Sequence, residues 1–221
     1  MDLTLFTEIV VPTFATLFVI IDPPGLLPMF LGLTAGASEH ERRVVAVRAC
    51  VVAAGVLVVF ALFGDQVLGF LGIGMPAFRI AGGLMLFLIA VEMLFEKRSE
   101  RRSKAVEQSQ AHGADRAHPA DEVAVFPLAV PLIAGPGAIA SIILLMSSHR
   151  GNPLEQAVVV AVMLAAVAVT LVLFLLAHRV ERLTGTTFIT VVTRIFGIIL
   201  GALAVQFVLS GLVALGIIAH S

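Results

Sequence analysis

Two tetrapeptides carry the chemistry that can be read from this sequence. Asp22-Pro23-Pro24-Gly25 and Ala134-Gly135-Pro136-Gly137 each lie inside a long apolar run. Proline has no N–H to donate and its ring clashes with the preceding turn, while glycine loosens the backbone, so a helix that reaches either motif must break or kink. Asp22 suits the N-cap of a restarted helix with Pro23 at its first position, and Gly135 with Pro136 repeats the arrangement. A restart presents backbone amides at the positive end of the helix dipole, which suits a carboxylate. The half-helix before it ends in carbonyls, and Asp22 adds a negative charge, so a coupling proton, a sodium ion or an ammonium group suits that side. A zwitterionic amino acid has both ends. A carboxylate at bilayer depth costs about 2.5–3.5 kcal/mol on insertion scales, which favours a working role over the blander readings of a cap or a packing kink.

These motifs need elements that place them at depth, and the composition supplies them. The 221 residues are 59% hydrophobic and 13% charged, with a mean hydropathy of +1.07, well outside the soluble globular range. Six stretches are long and apolar enough to span a bilayer: Leu3 to Leu33, Val44 to Phe63, Pro76 to Phe95, Val123 to Met146, Leu154 to Ala177 and Val191 to Ile218. The first ten residues hold Asp2 and Glu8 but no Lys or Arg, unlike a cleavable signal peptide, so the first run is expected to remain as a helix. The stretch from Glu96 to Glu122 is charged, rich in Ser, Ala and His, and without apolar period, which predicts a cytoplasmic loop. It divides the chain into 1–95, 96–122 and 123–221.

The two outer parts resemble each other. Asp22-Pro23-Pro24-Gly25 corresponds to Ala134-Gly135-Pro136-Gly137, and Arg79-Ile80-Ala81-Gly82 to Arg194-Ile195-Phe196-Gly197, in the same order and at nearly the same spacing. Three helices per repeat is an odd number, so the second repeat enters the membrane inverted. The expected fold is therefore an all-α membrane protein of six transmembrane helices, built as two inverted three-helix repeats with helices one and four discontinuous. Of the 14 Lys and Arg, 12 fall on the face of loops one, three and five, leaving Arg79 and Arg150 on the other. The positive-inside rule then puts both termini outside the cytoplasm.

Other polar residues in the spans are weaker candidates. Glu92 and Gln206 lie at similar places in helices three and six and could face a cavity, although Glu92 also suits a pair with Lys97 or Arg98, and Gln206 an interhelical hydrogen bond. Arg79 and Arg194 begin helices three and six and fit interfacial snorkelling, with a gate as the sharper alternative. Thr13, Thr16 and Ser141 lie near the breaks, and hydroxyls in such helices are expected to return a bond to the backbone, with substrate contact as the lesser alternative. Gly197 and Gly201 predict close helix packing, within the chain or in a homo-oligomer.

Together these residues resemble the MarC family of bacterial membrane proteins, which includes the small neutral amino-acid transporters called SnatA. The likeness rests on Asp22-Pro23-Pro24-Gly25 followed by Leu26-Leu27-Pro28, Arg79-Ile80-Ala81-Gly82-Gly83, Pro127-Leu128-Ala129-Val130-Pro131 running into Ala134-Gly135-Pro136-Gly137, and Arg194-Ile195-Phe196-Gly197. It spans nearly the whole chain apart from the charged loop. The resemblance implies a fold similar to the LysE-type exporters, location in the bacterial inner membrane, substrate held where helices one and four are broken, and, for some members, transport of glycine, alanine and similar amino acids. It also implies that either Asp or Asn serves at position 22.

Several classes are set aside. A net charge of −1 gives no basic surface for nucleic acid. The single Cys50 forms no intramolecular disulfide, and the six histidines fall in or beside loops, so no metal site or cofactor is expected; His112, Asp115 and His118 read as solvated. No nucleophile–base pair, phosphate loop or metalloprotease pattern is found, which argues against an enzyme. The alternatives to a transporter are a membrane enzyme or carrier acting on lipid-linked phosphates, and a non-transporting membrane scaffold.

Overall fold

The computed structural model describes residues 6–95, 128–129 and 132–218, with the backbone alone for Phe6 and 181–186. The regular elements among them are all helical. A π-helical turn, Phe6–Val10, leads into α1 (Val11–Ile21), and Asp22 separates α1 from α2 (Pro23–Leu33). Then follow α3 (Glu39–Phe70), α4 (Met75–Leu94), α5 (Pro136–Ser148), α6 (Pro153–Leu175) and α7 (Ala177–Ala214). Five helical stretches are long and apolar enough to cross a membrane: Thr7–Leu33, Glu39–Phe70, Met75–Leu94, Pro153–Leu175 and Thr187–Ala214. The sixth apolar helix, Pro136–Ser148, is shorter because Gly135 and Pro136 start it late. Among the described residues there are thus five full-length candidates and one half-length helix, and residues 123–127 and 130–131 of the fourth expected span lie outside the described residues.

Local chemistry explains the boundaries. Ser38 and Glu41 form a reciprocal capping box that starts α3 five residues before the apolar run expected from Val44. Arg42 lies near the end of the preceding helix, its guanidinium donating to the Thr34 carbonyl at 3.5 Å, as a cation suits a helix C-terminus. The connection expected between helices five and six, with Arg179 and Arg182, is instead helical and belongs to α7. Arginine is a good helix former, and charge alone does not end a helix that emerges from the bilayer. The 96–122 loop, together with Pro127 and Pro131, lies outside the described residues.

The most extensive helix pair is α4 with α7. A Cβ at Gly83 would come within 2.8 Å of the Ala204 carbonyl, one at Gly211 within 2.9 Å of the Pro76 carbonyl, and one at Gly197 within 3.1 Å of the Ala90 carbonyl. Low numbers on α4 meet high numbers on α7, so the two run antiparallel with backbones in near contact. The Gly197/Gly201 spacing is therefore used inside the chain. The core also joins α2 to α6 through Phe30 and Phe174, stacked at 4.4 Å, and α1 to α7 through the edge-to-face pair Phe18 and Phe196 at 5.7 Å.

Candidate functional site

The first break is built around Asp22. Its backbone is left-handed, φ 55° and ψ 60°, the one positive-φ non-glycine among the described residues. Aspartate tolerates this region because its short side chain bonds locally. The Asp22 amide donates to the Phe18 carbonyl at 2.9 Å, closing α1, while its carbonyl accepts from Leu26 at 3.1 Å, opening α2. Its Oδ1 accepts from the Gly25 amide at 3.2 Å, so the expected N-cap with Pro23 at the first helical position is present. A Cβ at Gly25 would overlap the carboxylate, which accounts for the glycine.

The capping corrects one expectation. Pro23 and Pro24 have no N–H, and the Gly25 amide is taken by Asp22 itself. The start of α2 therefore offers no set of free amides to an anion; its local character is that of a buried carboxylate, 0% exposed. At the second break Gly135 is an extended N-cap (φ −73°, ψ 170°) without a side-chain oxygen, and Pro136 again has no N–H. Among the described residues the Gly137 and Ala138 amides have no side-chain cap, and the positive end of the α5 dipole lies there. The two restarts share a proline at the first helical position but differ in cap backbone, left-handed at Asp22 and extended at Gly135, and are opposite in sign.

They also adjoin. A Cβ at Gly137 would lie 3.4 Å from Ile20 Cγ2, two residues before Asp22, and 2.8 and 3.3 Å from Ile89 and Leu86 of α4. The sequence did not single out Thr193. From α7 it donates its hydroxyl to Asp22 Oδ1 at 3.2 Å, across 171 residues of chain. Thr193 precedes Arg194, and by the repeat it corresponds to Phe78, the residue before Arg79. Phe78 and Ala134, the counterparts of Thr193 and Asp22, line one cavity of about 410 Å³ with Phe60, Met85, Pro136 and Ile139. This cavity lies at the second break, where its wall is apolar, while the first break is closed by a polar clasp.

The remaining candidates are spread out. Pro23 is buried, Pro24, Gly25 and Gly135 half-buried, Gly137 buried, and Pro136 exposed beside the cavity. Gln206 is exposed on α7, thirteen residues and about 20 Å of helix beyond Thr193, so it does not face the breaks. Arg79 is half-buried near the start of α4, and Glu92 half-buried in its last turn. Arg194 is exposed inside α7 and does not begin it. Lys97 and Arg98, expected partners of Glu92, and the loop residues His112, Asp115 and His118 lie outside the described residues. Among the described residues no group of three or more His, Cys, Asp or Glu converges.

Comparison with known proteins places this geometry. A family model described as MarC family integral membrane protein matches residues 7–215. A UPF0056 membrane protein of Methanocaldococcus jannaschii is 35% identical over 212 residues, covering 96% of this chain and 98% of the relative. Another from Aquifex aeolicus is 36% identical over 207 residues, 94% of each chain. The UPF0056 inner membrane protein YhgN of Escherichia coli is 34% identical over 197 residues, 89% of this chain and 92% of its own. None of these names states a substrate. No solved structure matches.

Proposed function

Since this chain belongs to the MarC family of integral membrane proteins, we propose that it is a multi-pass secondary transporter that carries small neutral amino acids such as glycine or alanine. It would do so in the inner membrane by alternating access, one inverted repeat rocking against the other around the breaks. The observation that carries this reading is the pairing of opposite signs. A buried carboxylate caps one restart, an uncapped pair of amides opens the other, and Ile20 and Gly137 bring the two together. A zwitterion has an ammonium group for the first and a carboxylate for the second. The packing of α2 on α7 and of α5 on α4 fits an inverted repeat, each second half-helix resting on the third helix of the opposite repeat.

Counterflow of labelled glycine or alanine into preloaded proteoliposomes tests the proposal. Exchange above protein-free vesicles is expected, and absence of exchange across a broad amino-acid panel removes the substrate claim. The closed state of the Asp22 break favours the competing scaffold reading, which the same assay separates because a scaffold exchanges nothing.

A further inference from the structure

Among the described residues only two buried side-chain polar atoms have no hydrogen-bond partner, Arg42 Nε and Ser141 Oγ. The Arg42 guanidinium still reaches the Thr34 carbonyl through another nitrogen. Ser141 has no such relief, and it is 0% exposed. Five other hydroxyls on these helices or at their ends return a bond to the backbone. Thr34, Thr170, Ser148 and Ser210 donate to the carbonyl four residues back, and Ser147 to the one three back, at 2.7–3.0 Å. Ser141 departs from that habit, and leaving a buried hydroxyl unpaired costs about 1–3 kcal/mol.

The position of Ser141 gives the departure a meaning. Helix one, α3 and α4 follow one another through short connections, so α4 crosses in the same direction as helix one. On α4, Gly82 meets Ala140 and Leu144, while Leu86 and Ile89 meet Gly137, so α5 runs antiparallel to α4 and hence to α1. Gly137 faces Ile20. One turn further along α5, on the same face, is Ser141; one and two turns back along α1, on the face of Ile20, are Thr16 and Thr13. Both threonines are buried, 5% and 1% exposed. Hydroxyls thus gather on the facing sides of α1 and α5, along the seam that leads from the Ser148 end of the bundle down to Asp22. Ala140, one residue from Ser141, faces the apolar cavity instead.

We infer that the α1–α5 seam is the route by which water and a small polar solute reach Asp22 from the Ser148 side, and that Ser141 contacts the solute or its water as the seam opens. This rests on the transport reading. In this structure the seam is packed and Ser141 Oγ has no partner among the described residues; opening supplies one. The threonines and Ser141 then give the route a hydroxyl lining suited to hydrogen-bonding solutes, while the opposite side of α5 stays apolar.

Thiol accessibility tests the inference without depending on flux. In a Cys50→Ala background, Ser141→Cys, Thr16→Cys and Ala140→Cys are reconstituted and exposed to a small membrane-impermeant methanethiosulfonate from the Ser148 side. Labelling at positions 141 and 16 is expected at least about tenfold faster than at 140, because a thiol reacts as its thiolate and needs water. Saturating alanine should slow it. Equal or absent labelling at both 141 and 16 overturns the route even in vesicles that exchange alanine. Fast labelling at both in vesicles that exchange nothing supports the route and removes the amino-acid reading instead. If one cysteine variant does not fold, the other decides.

Discussion

Asp22 combines three tasks in one side chain: it tolerates a left-handed backbone, caps α2, and accepts the Thr193 hydroxyl. These tasks separate by substitution. Asp22→Asn keeps the cap acceptor and the tolerance of positive φ, so it should fold normally and retain measurable exchange. Asp22→Ala loses the cap, at about 1–2 kcal/mol, and should abolish exchange as well. Thermal unfolding in detergent and counterflow, measured together, check both; unchanged flux in the alanine variant would reduce Asp22 to a cap. Thr193→Val should lower stability by about 1.5–3 kcal/mol by removing a hydrogen bond to a buried carboxylate, and Thr193→Ser should restore it. At this scale the sequence revealed Asp22 because an acid between an apolar run and two prolines has a local consequence. Thr193 was not legible because it depends on a contact 171 residues away, and Ser141, although seen beside the break, was expected to make a backbone bond that it does not make.

The elements were legible where backbone chemistry is local and less so where it is tertiary. Both helix restarts stand where Pro23 and Pro136 put them. The start of α3 moved outward because Ser38 and Glu41 cap it, and α7 absorbed a stretch whose charges had suggested a loop. Glycines divide in the same way. Gly83 lies against backbone of α7, which cannot yield as a flexible side chain does, whereas a Cβ at Gly55 in α3 meets nothing within 4 Å. Gly83→Ala should destabilise by about 1–3 kcal/mol through overpacking. Gly55→Ala should be neutral or gain up to about 1 kcal/mol from helix propensity. Unfolding midpoints of the two variants check the contrast, and equal midpoints would mean that the α4–α7 contact is not tight.

For the whole molecule, the distribution of Lys and Arg makes the membrane orientation testable. If the sequence assignment of 12 of the 14 Lys and Arg to the cytoplasmic loops holds, a reporter active only outside the cytoplasm should be active when fused at either terminus and silent when inserted at position 110. The reverse pattern would invert the assignment. Sequence periodicity could not place the cavity, because a void depends on how helices from distant parts of the chain pack around it. About 410 Å³ bounded by side chains such as Phe60, Phe78 and Ile139 offers ordered water few partners. A swing of α5 that narrows this partly open pocket tightens the packing around it, and one that widens it admits hydrocarbon. Hydrostatic pressure selects the smaller arrangement, so compression acts on the half-helix that bears the uncapped amides, and the balance between conformations becomes a matter of volume as well as of charge.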